Sequence, residues 1–252
     1  MTTTLPPTAP ARVREATRTV PTGRQFVRFA FFRVHPAWRQ RSDDQRQADR
    51  DEVANLVDEI ASRPGVILRT YSLVGTRGDA DFMVWLVSDR LEDLHEFSAQ
   101  LNKTGLAAHL ETPYHYFSMT KKSSYVERHS HPNSEGRSDR LIVLQEPRKY
   151  LFVYPFVKTR GWYRLSREER ARQMGEHIAM GHRYPSVKIN TTYSFGLDDQ
   201  EFVVAFESDS VSDFLDLVQE MRESEASTHT VRDVPSFTCI AMSISDALAA
   251  VG

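Results

Sequence analysis

The sequence predicts an α+β protein built from two similar units, and three observations carry that prediction. Strand-like segments recur: Phe26–Val34 (FVRFAFFRV) is like Leu151–Lys158 (LFVYPFVK), and each is followed by a tryptophan, Trp38 or Trp162. Tyr71-Ser72 leads through Gly75 to DFMVWL, and Tyr193-Ser194 leads through Gly196 to EFVVAF, at offsets of 122 and 120 residues. A charge-punctuated helical segment follows each time, SDRLEDLHEFSAQLNKTGL in one case and SDSVSDFLDLVQEMRESEAS in the other. Each unit therefore reads strand, long helix, strand, strand, helix, strand. A long repeat that occurs only twice argues against a solenoid.

Residues 1–24 carry Pro, Thr and Arg but almost no large apolar side chains, so they cannot build a core. They are expected to form a flexible arm, either disordered or ordered on a neighbouring subunit. The first unit spans 25–125 and the second 148–252. Between them, 126–147 is the predicted linker, its polar part VERHSHPNSEGRSDR broken by Pro and Gly. In the second unit Ser166 and Glu169 form a capping box that starts a helix. Its residues Met174, His177, Ile178 and Gly181 fall on one face at i, i+3, i+4 and i+7. In the last helix Phe214, Leu217, Val218 and Met221 do the same.

With 252 residues and 40% hydrophobic content the chain can bury a substantial core. Lys+Arg 32 against Asp+Glu 34 gives a net charge of -2, so no global field favours nucleic acid. The longest apolar runs are far too short to span a bilayer, so no membrane span is expected. A single cysteine, Cys239, excludes an internal disulfide, and the N-terminus lacks the apolar core of a signal peptide, which together fit a cytoplasmic setting. Cys239 lies in the apolar run SFTCIAMSI and reads as a buried thiol.

Two segments carry candidate chemistry. His177 points inward among apolar residues, while His182 sits roughly 140° around the helix and cannot make an i,i+4 zinc pair with it. A lone inward imidazole is either a satisfied core histidine or a single axial ligand to haem iron. In YPFVK, Pro155 cannot donate to a sheet ladder, which predicts an edge strand or a bulge there. Tyr154 and Lys158 share a face if alternation holds. A lysine in that position either faces a cavity that takes an anion or snorkels to water.

YPFVKTRGWYRLSREER, MGEHIAMGHRY, YSFGLDDQEFVVAFE and the MRESEAS segment together resemble the haem-binding half of the chlorite dismutase-like superfamily, most closely its coproheme decarboxylase branch. DADFMVW and LNKTGLA resemble the other half more loosely. The resemblance implies two ferredoxin-like repeats forming a pseudo-symmetric dimeric α/β-barrel, and a homopentamer. It implies His177 as the iron ligand, Tyr154 as a radical-forming catalytic tyrosine, and Lys158 as its anion-holding partner. Trp162 would line the pocket, and Arg140, Arg222 and Ser227 would bind propionates. Glu225 would bond to the proximal histidine, although a solvated helix end is the other reading for Glu225 and Arg222.

The implied activity is haem biosynthesis: peroxide-dependent decarboxylation of two propionates of coproheme, an iron porphyrin that is both substrate and cofactor, giving haem b. Coproheme and hydrogen peroxide are the implied partners. Chlorite dismutases carry a distal arginine where this chain has Ile189, two residues after Val187, and an aliphatic group cannot orient an oxyanion. Where actinobacterial decarboxylases place a distal histidine this chain has Arg137, with His129 and His131 nearby in the linker. The alternatives are a haem-binding protein without decarboxylase activity, and a chlorite dismutase or peroxidase.

Overall fold

The computed structural model describes residues 23–123 and 147–252. Almost all of the expected arm and linker lies outside the described residues, and with it Arg140, Arg137, His129 and His131. The first unit runs β1 (Phe26–Val34), α1 (Asp43–Ala61), β2 (Val66–Ser72), β3 (Phe82–Ser88), α2 (Leu91–Leu101) and β4 (Leu110–Met119). The second runs β5 (Tyr150–Lys158), α3 (Arg160–Arg164), α4 (Arg167–Gly181), β6 (Lys188–Tyr193), β7 (Phe202–Ser208) and α5 (Val211–Glu223). It ends in β8 (Thr230–Arg232), β9 (Phe237–Ala241) and α6 (Ile244–Ala249).

Strand order is β4-β1-β3-β2 in one half and β6-β7-β5-β9 in the other, the same ferredoxin-like arrangement twice. Two short seams join them, Met119 opposite Tyr193 and Tyr71-Ser72 opposite Ile240-Ala241. Because β5 pairs with both β7 and β9, the sheet closes into an eight-stranded barrel, and β8 extends off β5. Closure leaves no free edge among those eight strands. The turns after β2 and β6 are alike: Gly75 and Gly196 take φ of 84° and 72°, which a side chain would strain.

Alternating side chains divide the apolar residues into three layers. Phe29, Phe31, Trp85, Leu151, Val153, Val203 and Phe237 fill the barrel interior together with Cys239, which is buried as expected. Burial pushes the Cys239 thiol up, away from reactivity. A second layer lies between the first half's strands and α1, α2 and α6, with Phe32, Val53, Val57, Ile60, Phe97 and Leu248. The third lies between the second half's strands and α4 and α5, and it is sparse. Among the described residues its buried apolar side chains are Phe152, Val187, Phe206, Leu217 and Met221.

The environment of Pro155 differs from the expectation of an edge or a bulge at that residue. Pro155 sits in unbroken register opposite Val203, and the register shift falls later, between Val157 and Lys158. On the other side β9 covers Tyr150–Val153 and β8 resumes at Val157, so Tyr154 to Phe156 have no ladder partner there among the described residues. The proline thus occupies a gap in the middle of a sheet, where its missing donor leaves no acceptor unpaired.

Phe237 stacks on Phe31 at 3.9 Å between ring centroids and meets Tyr114 edge-on at 5.0 Å, in the interior shared by both halves. Phe237→Ala is expected to lower stability by about 3–5 kcal/mol in urea unfolding. Leu215→Ala, on an exposed side chain, should change it by less than about 0.5 kcal/mol.

Candidate functional site

The duplication supplies an internal control for locating the site. Ser42 and Ser166, 124 residues apart, each accept from the third backbone amide of α1 and α4; the return bond from the third side chain forms at Ser42 but not at Ser166, where Arg172 and Gln173 take the Glu169 carboxylate, so the expected capping box is half formed. The Val34 amide donates to Asp81 at 2.7 Å, and the Lys158 amide, again 124 residues on, donates to Glu201 at 2.8 Å. His35 N–H bonds to His109 O and Thr159 N–H to His229 O, both at 2.8 Å. At that same spacing the first half's apolar residues Ala30, Val34, Val53 and Val57 become Tyr154, Lys158, His177 and Gly181. The first four are packed in their layer. The second four exchange packing for a phenol, an ammonium, an imidazole and a missing side chain.

His177 stands on α4 with its Nδ1 buried and without a hydrogen-bond partner among the described residues. Desolvation, and then the nearby Lys158 charge, push its pKa down to about 4. The imidazole is therefore neutral at neutral pH, the form that ligates a metal. One turn on, Gly181 faces Ile189 and Met221: a Cβ there would meet their side-chain tips at 3.5 and 3.6 Å.

Lys158 is 9% exposed. Its Nζ donates to the Ala226 carbonyl at 2.6 Å and lies 4.6 Å from the ring centroid of buried Trp162, while burial lowers its pKa to about 8. No carboxylate pairs with this ammonium among the described residues, so the snorkelling expectation does not hold and the cation keeps capacity for an anion. Trp162 also lies 5.5 Å from the His229 ring. Tyr154 is half-buried and stacks on Phe206 at 5.7 Å. Burial raises its phenol pKa; Asp233 raises it further and Arg222 opposes that. The phenol thus stays protonated and bears on a charged pair at the end of α5.

That pair is Arg222 Nη2 to Asp233 Oδ2, 2.5 Å, joining the last turn of α5 to the connection between β8 and β9. Ser227 Oγ donates to the Arg222 and Ser224 carbonyls, both at 2.7 Å, which ties Ser227 to the last turn of α5. Glu225 differs from expectation. It bonds to Arg172 at 2.5 Å and to Gln173 at 3.0 Å, not to His177. The exposed Arg172 guanidinium reaches it and offers a stronger partner than a neutral ring.

Two further residues went unforeseen in the sequence. Gln173 is buried one turn before His177, with Nε2 on Glu169 and Glu225 and Oε1 unpartnered. Glu201 takes the Lys158 amide and the Tyr163 hydroxyl, the latter at 2.5 Å. Aligning the halves at 124 residues would have found Gln173, because buried Asp49 holds the equivalent place.

Among the described residues no three His, Cys, Asp or Glu gather to hold a metal. A single neutral imidazole, a sparse layer walled by aromatics and a lysine with no carboxylate partner among the described residues fit a metal whose remaining ligands come from a flat organic ring with anionic arms.

A family profile described as chlorite dismutase matches residues 46–242. Coproheme decarboxylase of Mycolicibacterium smegmatis is 28% identical over 225 residues, 89% of this chain and 93% of that protein. An arginine-to-alanine mutant of chlorite dismutase from Candidatus Nitrospira defluvii superposes with a TM-score of 0.79 at 26% identity, covering 89% of this chain and 94% of that one. The same organism's enzyme in complex with imidazole gives 0.78 at 25% identity, with the same coverage. Among the described residues no helix is long and apolar enough to cross a membrane.

Lys158 binds fewer protons folded than unfolded between about pH 8 and its ordinary value of 10.5, so its burial opposes folding below pH 8 and ceases to as pH rises through that window. Lys158→Met is expected to be more stable than the parent by on the order of 1 kcal/mol at pH 7, with the difference fading toward pH 10.5 in urea unfolding. A difference that is flat with pH would contradict the buried-charge assignment.

Proposed function

The chain belongs to the chlorite dismutase family, and from that premise we propose that it decarboxylates two propionates of coproheme with hydrogen peroxide, giving haem b. The observation that carries this reading is the exchange of four packed positions for Tyr154, Lys158, His177 and Gly181 within one layer. Similarity to a coproheme decarboxylase supports the choice of reaction. Ile189 supports it too, since it offers no donor to an oxyanion such as chlorite.

In this reading His177 holds the iron as a neutral imidazole. The bound porphyrin iron supplies the oxidising power that peroxide brings. Lys158, Arg222 and Arg140 hold carboxylates, which favours a tetra-anionic substrate over the product with two fewer charges. Ser227 holds the Arg222 carbonyl, and Trp162 and Ile189 wall the pocket. Tyr154, a neutral phenol before the reaction, loses its hydrogen and then takes one from the β-carbon of a propionate. Each round consumes one propionate, one peroxide and one proton, and yields a vinyl group, carbon dioxide and two waters. Gly181 leaves room beside Ile189 where Val57 fills the first half.

Tyr154→Phe removes the hydroxyl and keeps the ring on Phe206. Its expected outcome is coproheme binding within about threefold of the parent, with no loss of mass from the porphyrin on peroxide addition. Conversion at the parent's rate would overturn the role given to Tyr154.

A further inference from the structure

Arg222 lies in the last turn of α5, where a cation is favoured by the helix carbonyls, and it is more than half exposed. Such a side chain is free to point into water. Instead it reaches Asp233, a carboxylate with only 18% of its side-chain surface exposed. Asp233 directly follows β8, the strand that resumes the pairing of β5 beyond the gap at Tyr154 to Phe156. The ion pair therefore spans from α5 to the strand connection beside Tyr154, and both charges act on the Tyr154 phenol. Val234, next in the chain, is 59% exposed, and the polar ties of the segment are the Asp233 ion pair and the Arg77 bond to the Ser236 carbonyl.

We propose that Asp233 is a specificity-determining residue: its carboxylate occupies Arg222 before a substrate carboxylate does. The inference rests on the porphyrin reading above and deepens it. An incoming propionate has to displace Asp233, so Arg222 rewards a ligand only when that ligand delivers a carboxylate to this place. A porphyrin lacking a carboxylate there finds Arg222 already neutralised and meets a closed pair. The exchange replaces one ion pair of the half-exposed Arg222 by another, so its effect on affinity is modest and belongs to selection rather than to gross binding.

The test is a double-mutant cycle on coproheme affinity, read by the Soret shift at low salt, in the parent, Asp233→Asn, Arg222→Gln and the double variant. Asp233→Asn should bind coproheme about two- to fivefold more tightly than the parent. Asp233→Ser should do the same, which guards against a fault peculiar to one replacement. In the Arg222→Gln background the Asp233 change should have no effect. Equal tightening in both backgrounds would mean a general loss of negative charge, and unchanged or weaker binding by both Asp233 variants would mean a purely structural pair; either result overturns the proposal while leaving the porphyrin reading intact. If none of the four proteins shifts the Soret band of coproheme, the porphyrin reading falls and this inference with it.

Discussion

Strand β5 has to satisfy two neighbours at once, and most of the structure hangs on how it does so. Pairing with β7 and β9 closes the barrel and turns Leu151 and Val153 into the interior shared by the two halves. The same register turns Phe152 and Tyr154 outward, into the layer under α4 and α5. A slip of one residue would exchange those sets, placing a phenol in the apolar interior and valine at the site. The interior packing of the whole molecule therefore orients the candidate catalytic tyrosine. Four residues on, alternation along β5 sets Lys158 on the same face, with its ammonium against Trp162 and the Ala226 carbonyl.

Duplication separates stability from chemistry. The first half keeps a filled outer layer, reinforced by α6, whose Ile244, Ala247 and Leu248 add to it. The second half gives up that packing: a lysine at about pKa 8, an imidazole with a buried unpartnered nitrogen and a glycine all reduce the apolar burial under α4. Each such group opposes folding in the absence of a ligand. The dense half and the common interior offset this, which lets one face carry polar groups in place of apolar packing. Corresponding positions in the two halves show what each residue replaces.

Much of this was legible in the sequence because the signals were local. The Ser166 cap, the inward face of His177 and the repeat of strand and helix are all confirmed. So is the buried state of Cys239. What the sequence could not show is pairing. Pro155 argued for an edge, yet the gap that tolerates it arises because β9 stops and β8 resumes, a fact about two segments more than 70 residues away. Glu225 lay at the right place in the chain for a bond to His177, but Arg172 competes for it across the α4 face, and no spacing rule predicts which partner wins. Asp233 gave no motif at all, and Gln173 is marked only by its place opposite Asp49 in the repeat; both matter through what the fold sets beside them.

The central claim is that this layer holds an iron porphyrin so that Tyr154 can shorten its propionates. The most direct measurement adds coproheme to the purified chain, titrates hydrogen peroxide and follows the porphyrin by mass spectrometry. The account predicts two successive losses, each of one carbon dioxide and two hydrogens, at about one peroxide per loss, ending at haem b. Bleaching of the porphyrin without those losses would contradict it.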